Sequence, residues 1–496
     1  MSNTNNTKQA AWVAIGSLCS FGFSIVSSMI LSRYFNKADY GTYKQVMYVY
    51  NTLLMVFTLG LPKAFSYFLP RVELSQSKNL INKITRLFFL LGGFFTLILL
   101  IFAPQIAGFL NNPDLMKALR VFAVVPFLLL PTMGLDGILA TFKQTKFLAL
   151  YNILTNVFKL ICVALPVMIW DLSYTEALLG FVVASFVTFL LALYFKYYPV
   201  KNQANEKCTI TYKDIFKFSI PLLTASIWGV IIASVDQFFI SRYFGNEVFA
   251  EFSNGWLSLP FIGMITGATA TVLSPIFSRM SHEKVDPMKD IYPLWMSVFN
   301  KSAKLIYPLV IYCLIFADVV MAVMYGQQYA ISGYYFQIKL ITEFFAIIIF
   351  APLIINIGEV KYYSNVHMIT AIIVVALEYL SVKTISSPFA ICWISTLCQI
   401  GKVFAFLWLV ANYFGIKIHQ LFPVKIILQI LIPSILLLLL ERWILMDFCQ
   451  MKAMFVLIIS FVTYVVIFFV YSQMMKMDYL DIIKPLISKK NVNSNL

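Results

Sequence analysis

The sequence has few charged residues and no long polar stretch. Only 12% of its 496 residues are charged and 60% are hydrophobic, whereas soluble domains carry about 25% charged residues. This composition excludes an ordinary soluble enzyme or binding domain. Because apolar runs recur along the whole chain, we expect one integral membrane unit and not a string of soluble domains.

Patterns for binding metals and nucleotides are also missing. The seven cysteines are scattered without a CxxC pair and there are three histidines, so the sequence predicts neither a disulfide framework nor a metal site. No Gly-x-x-x-x-Gly-Lys-Ser/Thr motif occurs, which means that the chain has no P-loop of its own. No cofactor is expected, apart from Na⁺ or H⁺ if the protein is coupled to an ion gradient.

Long apolar runs predict an all-α polytopic membrane protein with about fourteen transmembrane helices. The first run has about 22 residues, more than the 7–15 apolar residues of a signal peptide, so we expect it to be a retained span. The predicted spans lie near residues 10–32, 45–69, 87–110, 118–140, 147–170, 175–197, 216–240, 249–277, 304–325, 332–356, 364–384, 388–412, 421–441 and 452–475.

Basic residues are distributed unevenly between the two sides of the predicted membrane. With the N-terminus in the cytoplasm, 24 Lys and Arg fall on the cytoplasmic side, 9 on the outer side and 4 within spans. Lys196 is counted with a cytoplasmic segment and Lys44 with an outer loop. The asymmetry predicts cytoplasmic termini and explains the net charge of +15 without nucleic-acid binding.

An internal repeat divides the chain into two halves. Ser32-Arg33-Tyr34-Phe35 recurs as Ser241-Arg242-Tyr243-Phe244, an offset of 209 residues. Six spans separate the copies, so the halves should be parallel repeats with a substrate path between them. The predicted divisions are an N-terminal six-helix lobe (1–200), a cytoplasmic connector (201–215), a C-terminal six-helix lobe (216–413), and two extra helices with a cytoplasmic tail (414–496).

Three segments carry a family resemblance. Residues 31–45, residues 59–70 with their Leu-Gly-Leu-Pro and Tyr-Phe-Leu-Pro strings, and residues 235–245 resemble the Wzx-type polysaccharide repeat-unit flippases. That family belongs to the multidrug/oligosaccharidyl-lipid/polysaccharide exporter superfamily, together with the lipid II flippase and the MATE drug exporters. Residues 249–252 depart from the family pattern, which more often has Gly-x-Tyr there.

The resemblance implies an activity and a location. It implies that a polyprenyl-diphosphate-linked oligosaccharide is moved from the cytoplasmic to the outer leaflet of a bacterial inner membrane, for O-antigen or capsule synthesis. The expected partners are this lipid-linked substrate and membrane lipid, with a polysaccharide polymerase and glycosyltransferases as further candidates.

Charged residues inside the spans are the candidate functional groups. A Lys, Arg or Asp at the centre of a span costs about 2.5–3.5 kcal/mol on insertion scales, so it should face protein or a watery cavity. Basic side chains also suit a diphosphate. The candidate substrate-binding residues are Arg33, Lys63, Lys159, Arg242 and Lys339, and the candidate ion-coupling residues are Asp236 and Glu343.

Some of these candidates have a structural interpretation as well. Lys159 has about a dozen mostly apolar residues on either side, so its side chain cannot easily reach an interface, but a structural ion pair would also explain it. Lys63 could extend to the cytoplasmic interface. Lys339 and Glu343 are four residues apart on one helix face and could neutralise each other.

The remaining candidates also leave two interpretations open. Arg33 and Arg242 end equivalent spans, where arginine often serves as an interfacial anchor. Asp236 could form a salt bridge to a neighbouring helix or take part in proton or sodium coupling.

Three functions are compared on this basis. The basic residues within the predicted spans favour a lipid-linked oligosaccharide flippase. A multidrug antiporter would favour an acidic or aromatic cavity for organic cations, which the excess of buried base opposes. A polymerase or glycosyltransferase would need a large loop or catalytic domain, and no segment outside the predicted spans exceeds about 25 residues. We therefore expect a transporter and not an enzyme.

Overall fold

The structure is a computed structural model that describes residues 3–283, 285–348, 350–477 and 479. Within these residues the chain is helical, which confirms the predicted all-α class. The helices before the polar connector are α1 (Asn3–Tyr34), α2 (Lys37–Phe57), α3 (Pro62–Phe68), α4 (Leu74–Phe109), α5 (Asp114–Phe122), α6 (Val125–Leu129), α7 (Leu135–Thr141), α8 (Thr145–Lys159), α9 (Leu165–Trp170) and α10 (Tyr174–Tyr197). Those after it are α11 (Tyr212–Gly255), α12 (Pro260–His282), α13 (Tyr292–Ile315), α14 (Ala317–Tyr325), α15 (Ser332–Ala346), α16 (Ala351–Asn356), α17 (Val360–Thr384), α18 (Pro388–Phe414), α19 (Val424–Arg442) and α20 (Ala453–Met474).

Among the described residues, twelve helical segments are long and apolar enough to cross a membrane. A thirteenth is obtained when α11, bent by 45° between Thr224 and Ser226, counts as one span. The remaining predicted span, 332–356, is divided between α15 and α16, and Pro352 occupies the first turn of α16. The chain is a multi-pass membrane protein with about fourteen membrane-crossing segments, as the sequence predicted.

The fourth span is broken into short pieces. It consists of α5, α6, a 3-10 turn at Leu130–Thr132 and α7. Pro126 and Pro131 begin two of these pieces, because proline lacks the N–H that a continuous helix would need. Gly134 follows with φ of 77°, a conformation that glycine adopts without a steric penalty. Backbone carbonyls are therefore left without helical partners inside the membrane protein.

Two compact units make up the described chain. The first contains residues up to Ser253 together with His367–Ser395, and the second contains Asn254–Val366 and the residues from Thr396 onwards. The unit boundaries fall within α11, α17 and α18. The division into two six-helix lobes and an appendage, which was derived from the sequence repeat, stays a prediction.

Aromatic packing joins three spans of the first unit. The Tyr50 ring of α2 is stacked on Phe95 of α4, with ring centroids 6.0 Å apart, and meets the edge of Phe122 of α5 at 5.3 Å. Phe57, two turns further along α2, stacks on the same Phe95 at 4.5 Å. These rings are large apolar surfaces that prefer such offset and edge arrangements, so they hold α2 in a fixed orientation.

The polar connector is fastened to the start of α4. The Lys83 ammonium donates to the backbone carbonyls of Cys208 at 3.1 Å and Ile210 at 2.8 Å. The backbone N–H of Glu206 donates to the Ser75 carbonyl at 3.2 Å, and the Ser75 hydroxyl donates to the Glu206 carboxylate at 2.8 Å. The connector is therefore an ordered part of the first unit.

Tyrosine hydroxyls attach the last two helices within the second unit. Tyr312 of α13 donates to the Leu457 carbonyl of α20 at 2.7 Å. Tyr464 of α20 donates to the Ser434 hydroxyl of α19 at 2.9 Å and to the Pro308 carbonyl of α13 at 3.3 Å. Each bond satisfies a polar group that would be costly to leave unpaired in an apolar setting.

Candidate functional site

A cavity of about 490 Å³ opens inside the first compact unit, among α1, α2, the broken fourth span, α8 and α10. Its wall combines two lysines, two asparagines, three serines and several aromatic rings, and it includes no Asp or Glu. The lining residues are Phe23, Ser24, Ser27, Ser28, Leu31, Tyr43, Lys44, Met47, Tyr50, Asn51, Leu54, Leu129, Met133, Asn156, Lys159, Val163 and Phe181.

Helix periodicity explains why these residues face the same space. Lining residues on α2 recur from Tyr43 to Leu54 at intervals of three or four, and α1 contributes the same pattern from Ser24 to Leu31. Residues three and four apart share one side of a helix. Much of the wall is therefore formed by one face of α1 and one face of α2.

Lys159 is the candidate that the structure places in this cavity. It is the last residue of α8, directly before a π-helical turn at Leu160–Ala164, and such turns often occur at functional sites. Its ammonium lies 5.3 Å from the centre of the Phe181 ring. Gly180 permits this arrangement, because a Cβ there would lie 2.0 Å from the Cys162 carbonyl oxygen of the π turn.

Lys44 lines the same cavity and was missed in the sequence. The sequence count placed it in an outer loop, but α2 begins at Lys37, so Lys44 lies two turns inside the helix. Its ammonium is 5.1 Å from the centre of the Tyr40 ring. The spacing of seven residues between Lys44 and Asn51, which puts both on one face of α2, is a signal that could have identified it.

Neither cavity lysine forms an ion pair within the described part of the chain. The ion pairs found there include Lys37–Glu251, Arg279–Glu283, Lys289–Asp286 and Arg442–Asp318. Both cavity lysines are partly buried. An ammonium in this situation favours an anionic ligand, because a nearby negative charge offsets the loss of hydration.

A polar contact between α2 and α11 lies within the same unit. Lys37 pairs with Glu251 at 2.6 Å, Gln45 donates to the Ser241 hydroxyl at 2.8 Å, and Tyr48 donates to the Ser234 carbonyl at 3.2 Å. We call this set, together with the bonds of Asn246 described next, the α2–α11 contact.

Asn246 and Gly41 form the closest point of the α2–α11 contact. The Asn246 amide donates to the Ala38 carbonyl at 3.2 Å and to the Thr42 hydroxyl at 3.3 Å. A Cβ on Gly41 would lie only 1.9 Å from the Asn246 carbonyl oxygen. The two helices can approach this closely only because position 41 carries no side chain.

Three other basic candidates of the first unit lie outside the cavity wall. Arg242 is partly buried on α11 and donates to the Phe109 carbonyl. Arg33 ends α1 and is exposed, and Lys63, in the first turn of α3, is exposed as well. The structure therefore places Arg242 against the C-terminal end of α4, and it places neither Arg33 nor Lys63 in the cavity wall.

The acidic candidate Asp236 is buried on α11 with 1% of its surface exposed. The Ser395 hydroxyl of α18 donates to it at 2.9 Å. Glu378 of α17, in the same unit, is also completely buried. A membrane-embedded carboxylate is costly unless it has polar partners or is neutralised, so the Ser395 hydroxyl offsets part of the cost of burying Asp236.

Lys339 and Glu343 belong to the second unit. The Lys339 ammonium lies 5.2 Å from the centre of the Trp256 ring. Glu343, one turn further along α15, is buried. The ion pairs found among the described residues do not include Lys339 with Glu343, so their internal pairing and a role in binding or coupling both stay predictions.

Lys196 is a buried cation that sequence reasoning assigned to a cytoplasmic segment. It is completely buried near the end of α10. Its ammonium donates to the carbonyls of Pro131 at 2.7 Å and Met133 at 3.2 Å, and to the Thr85 hydroxyl at 3.4 Å. It satisfies the carbonyls that the break in the fourth span leaves without helical partners.

Solved transporters share the fold of this chain. The lipid II flippase MurJ in an inward closed conformation matches with a TM-score of 0.70 at 14% sequence identity, covering 96% of this chain and 99% of that chain. An inward-facing multidrug resistance transporter of the MATE family matches with a TM-score of 0.61 at 15% identity, covering 79% and 94%. The fold is that of the MOP superfamily of transporters.

Sequence similarity also assigns the chain to a protein family. Residues 30–332 match the family described as polysaccharide biosynthesis protein, and the chain belongs to that family. A Shigella flexneri protein named as an O-antigen transporter is 22% identical over 396 residues, which are 76% of this chain and 91% of that protein. The resemblance to Wzx-type flippases of the superfamily is thereby confirmed.

Proposed function

We propose that this chain is a flippase for a polyprenyl-diphosphate-linked oligosaccharide and moves it from the cytoplasmic to the outer leaflet of a bacterial inner membrane. The observation that carries the proposal is the acid-free cavity with Lys44 and Lys159 in its wall. Such a cavity attracts anionic groups and disfavours organic cations. Membership of a polysaccharide biosynthesis family supports the same substrate class.

Transport requires no change of covalent bonds in the substrate, so the protein acts as a transporter and not as an enzyme. In this proposal Arg33, Lys63, Lys159, Arg242 and Lys339 interact with the negatively charged groups of the substrate during alternating access, and the lipid tail stays in the bilayer. Both termini are cytoplasmic, as the basic asymmetry of the sequence predicts. Glycosyltransferases would supply the substrate, and a polysaccharide polymerase would consume it.

Alternating access supplies the movement in this proposal. The cavity would open to one side of the membrane at a time, and the α2–α11 contact would break when one end opens. Proton or sodium coupling is assigned to Asp236 or Glu343, since buried carboxylates can bind either ion. Export that is unaffected when both ion gradients and the membrane potential are collapsed would contradict that coupling.

The proposal is tested by measuring export in the native host after deletion of the gene and complementation with variants. Lys159→Gln should reduce surface polysaccharide at least about tenfold, because the charge that meets the substrate anion is lost, while the lipid-linked repeat unit accumulates. Lys159→Arg should keep part of the activity, since it keeps the charge. Lys146→Gln is the matched control, because Lys146 lies on the same helix and is exposed.

Protein abundance in the membrane is measured in parallel by quantitative immunoblotting. A normally abundant Lys159→Gln variant with full export would show that the cavity is not on the transport path. Loss of export in the Lys146→Gln control to the same extent would show that the assay reports general damage and not the loss of a cavity cation.

A further inference from the structure

We propose that a pocket between α14, α15 and α19 binds the headgroup of phosphatidylethanolamine, a zwitterionic membrane lipid, through Arg442 and Asp318. The pocket lies in the second compact unit and has a volume of about 310 Å³. We call it the Arg442 pocket. The inference concerns a membrane lipid that is bound and not transported, so it does not rest on the proposed function.

An ion pair lies in the wall of the Arg442 pocket. Arg442, the last residue of α19, donates to both carboxylate oxygens of Asp318 in α14 at 2.7 Å and to the Ile315 carbonyl at 2.6 Å. The side chains of Arg442 and Asp318 keep 29% and 39% of their surface exposed, so both charges can be reached from the pocket. A guanidinium has five N–H donors, and the three bonds to described residues leave two of them for a ligand.

The two charges together select the kind of ligand. Because the pair is neutral overall, an anion that is attracted by Arg442 is repelled by Asp318, and a cation meets the opposite problem. A zwitterion avoids both, since its phosphate can accept from the remaining Arg442 N–H groups while its ammonium donates to Asp318. Phosphatidylethanolamine carries these two groups on a two-carbon linker. A ligand with negative charge alone, such as a diphosphate, is disfavoured here.

The position of the Arg442 pocket along the helices places it near lipid headgroups. Asp318 lies seven residues before the end of α14, Gln337 lies five residues after the start of α15, and Arg442 ends α19. The predicted topology puts all three helix ends on the outer side of the membrane. Tyr334 in the pocket wall and Trp443 beside it are 62% and 57% exposed, and such aromatic residues are enriched where headgroups meet the hydrocarbon.

Uncharged groups complete the Arg442 pocket. Leu439 of α19 lines it and is 48% exposed, so the pocket continues onto an apolar surface that an acyl chain can follow. The Gln337 amide donates to the Leu314 carbonyl at 3.1 Å, and its oxygen can accept from an ammonium. A Cβ on Gly333 would lie 2.5 Å from the Asp318 Cα, so close packing of α15 on α14 fixes the acid. A volume of about 310 Å³ is at the small end of ligand sites, about 300–1,000 Å³, and suits one headgroup.

Native mass spectrometry of the purified full-length protein tests this inference. The protein is titrated in detergent with phosphatidylethanolamine or phosphatidylglycerol of identical acyl chains, and the dissociation constant of the first bound lipid is measured. We expect phosphatidylethanolamine to bind at least about fivefold more tightly, because only the zwitterion satisfies both charges of the pair. Soluble glycerophosphoethanolamine should compete at least about tenfold more weakly than the intact lipid, since it lacks the acyl chains.

Removal of one charge at a time should change the lipid preference in different ways. Asp318→Asn leaves the Arg442 charge without its acid, so phosphatidylglycerol should then bind at least as tightly as phosphatidylethanolamine. Arg442→Gln removes the donors for the phosphate, so the affinity for phosphatidylethanolamine should fall at least about fivefold. A pair that only joins α14 to α19 would not reverse the preference. Arg279→Gln, in an exposed ion pair with Glu283 outside the pocket wall, should bind both lipids like the wild type.

Filling the Arg442 pocket tests the location of the lipid while the ion pair stays intact. Leu439→Trp puts a larger side chain into the pocket and should weaken phosphatidylethanolamine binding at least about fivefold. Leu440→Trp is the matched control, because Leu440 is 52% exposed on the same helix but does not line the pocket. Monodisperse elution from size-exclusion chromatography confirms that each variant is folded. Leu439→Trp keeps the test valid if Asp318→Asn does not fold.

Several results would overturn the inference. Equal binding of the two lipids to the wild type, or unchanged phosphatidylethanolamine binding in Leu439→Trp, would remove the headgroup from the pocket. A preference for phosphatidylethanolamine that survives Asp318→Asn would show that the ion pair is structural only. Glycerophosphoethanolamine that competes as strongly as the intact lipid would assign the pocket to a soluble zwitterion and not to a membrane lipid.

Discussion

Lys196 and Lys159 are buried cations of the same unit, and their surroundings differ completely. Lys196 has no exposed surface and donates to two backbone carbonyls and a hydroxyl. Lys159 is partly buried, faces a cavity without carboxylates and contacts an aromatic ring. The first ammonium has its hydrogen-bond acceptors within the protein, and the second is available to a ligand.

The difference shows how a structural cation in a membrane protein is told apart from a functional one. Insertion cost alone does not separate them, because both side chains are removed from bulk water. The decisive property is whether protein groups satisfy the charge. The comparison can be tested by removing each charge and measuring the stability of the purified protein.

The largest effect is expected for Lys196→Met. Removing this ammonium leaves the Pro131 and Met133 carbonyls without a partner, and hydrogen bonds to a charged group contribute about 1.5–3 kcal/mol each. We expect the free energy of unfolding to fall by about 3 kcal/mol or more, measured by denaturant titration in detergent. A variant as stable as Lys146→Met, which changes an exposed lysine, would show that Lys196 is not structural.

An intermediate effect is expected for Asp318→Asn. Arg442 binds both Asp318 carboxylate oxygens at 2.7 Å, which joins α19 to α14, but both side chains are partly exposed. Solvent screening reduces the value of such a pair, so we expect a loss of about 1 kcal/mol. Glu283→Gln, in a more exposed pair with Arg279, should change stability by less than about 0.5 kcal/mol. Equal losses in the two variants would contradict a stabilising role of the bidentate pair.

The smallest effect on stability is expected for Lys159→Met. No described protein group pairs with the Lys159 charge, and methionine fills a similar volume without the cost of desolvation. We expect a change within about 0.5 kcal/mol, in the same denaturant titration. A loss as large as that of Lys196→Met would show that Lys159 is structural and would weaken its assignment to the substrate path.

The length and position of most spans could be predicted because they depend only on apolar runs. The predicted span 388–412 is observed as Pro388–Phe414, and 452–475 as Ala453–Met474. The division of residues 332–356 and the four pieces of the fourth span could not be predicted from hydropathy, since the broken segments remain apolar. The sequence ended the seventh span at 240, near Gly245, where a non-helical φ of 86° interrupts α11 before a further helical segment reaches Gly255.

Only part of the candidate site could be predicted, because hydropathy singles out a charged residue only where apolar sequence surrounds it. Lys159 stands out because apolar sequence surrounds it. Lys44 and Lys196 lie near the ends of apolar runs, where a lysine ordinarily reaches the interface, so counting charges assigned them to segments outside the membrane. Their burial depends on tertiary packing, namely the early start of α2 and the break in the fourth span. Local signals for both features are present in the sequence, namely the N-cap Asn36 before α2 and Pro126, Pro131 and Gly134 in the fourth span, but a count based on hydropathy does not use them.

The α2–α11 contact has a consequence for membrane permeability. A transporter that opened at both ends would dissipate the proton gradient of its own membrane. Five bonds make up the contact, and at about 1 kcal/mol each they would favour the sealed form by roughly several thousand to one. Under the proposed alternating access, binding of the cargo must supply a comparable free energy each time this contact opens, so the barrier to leakage would also set the smallest affinity difference that the cargo has to provide.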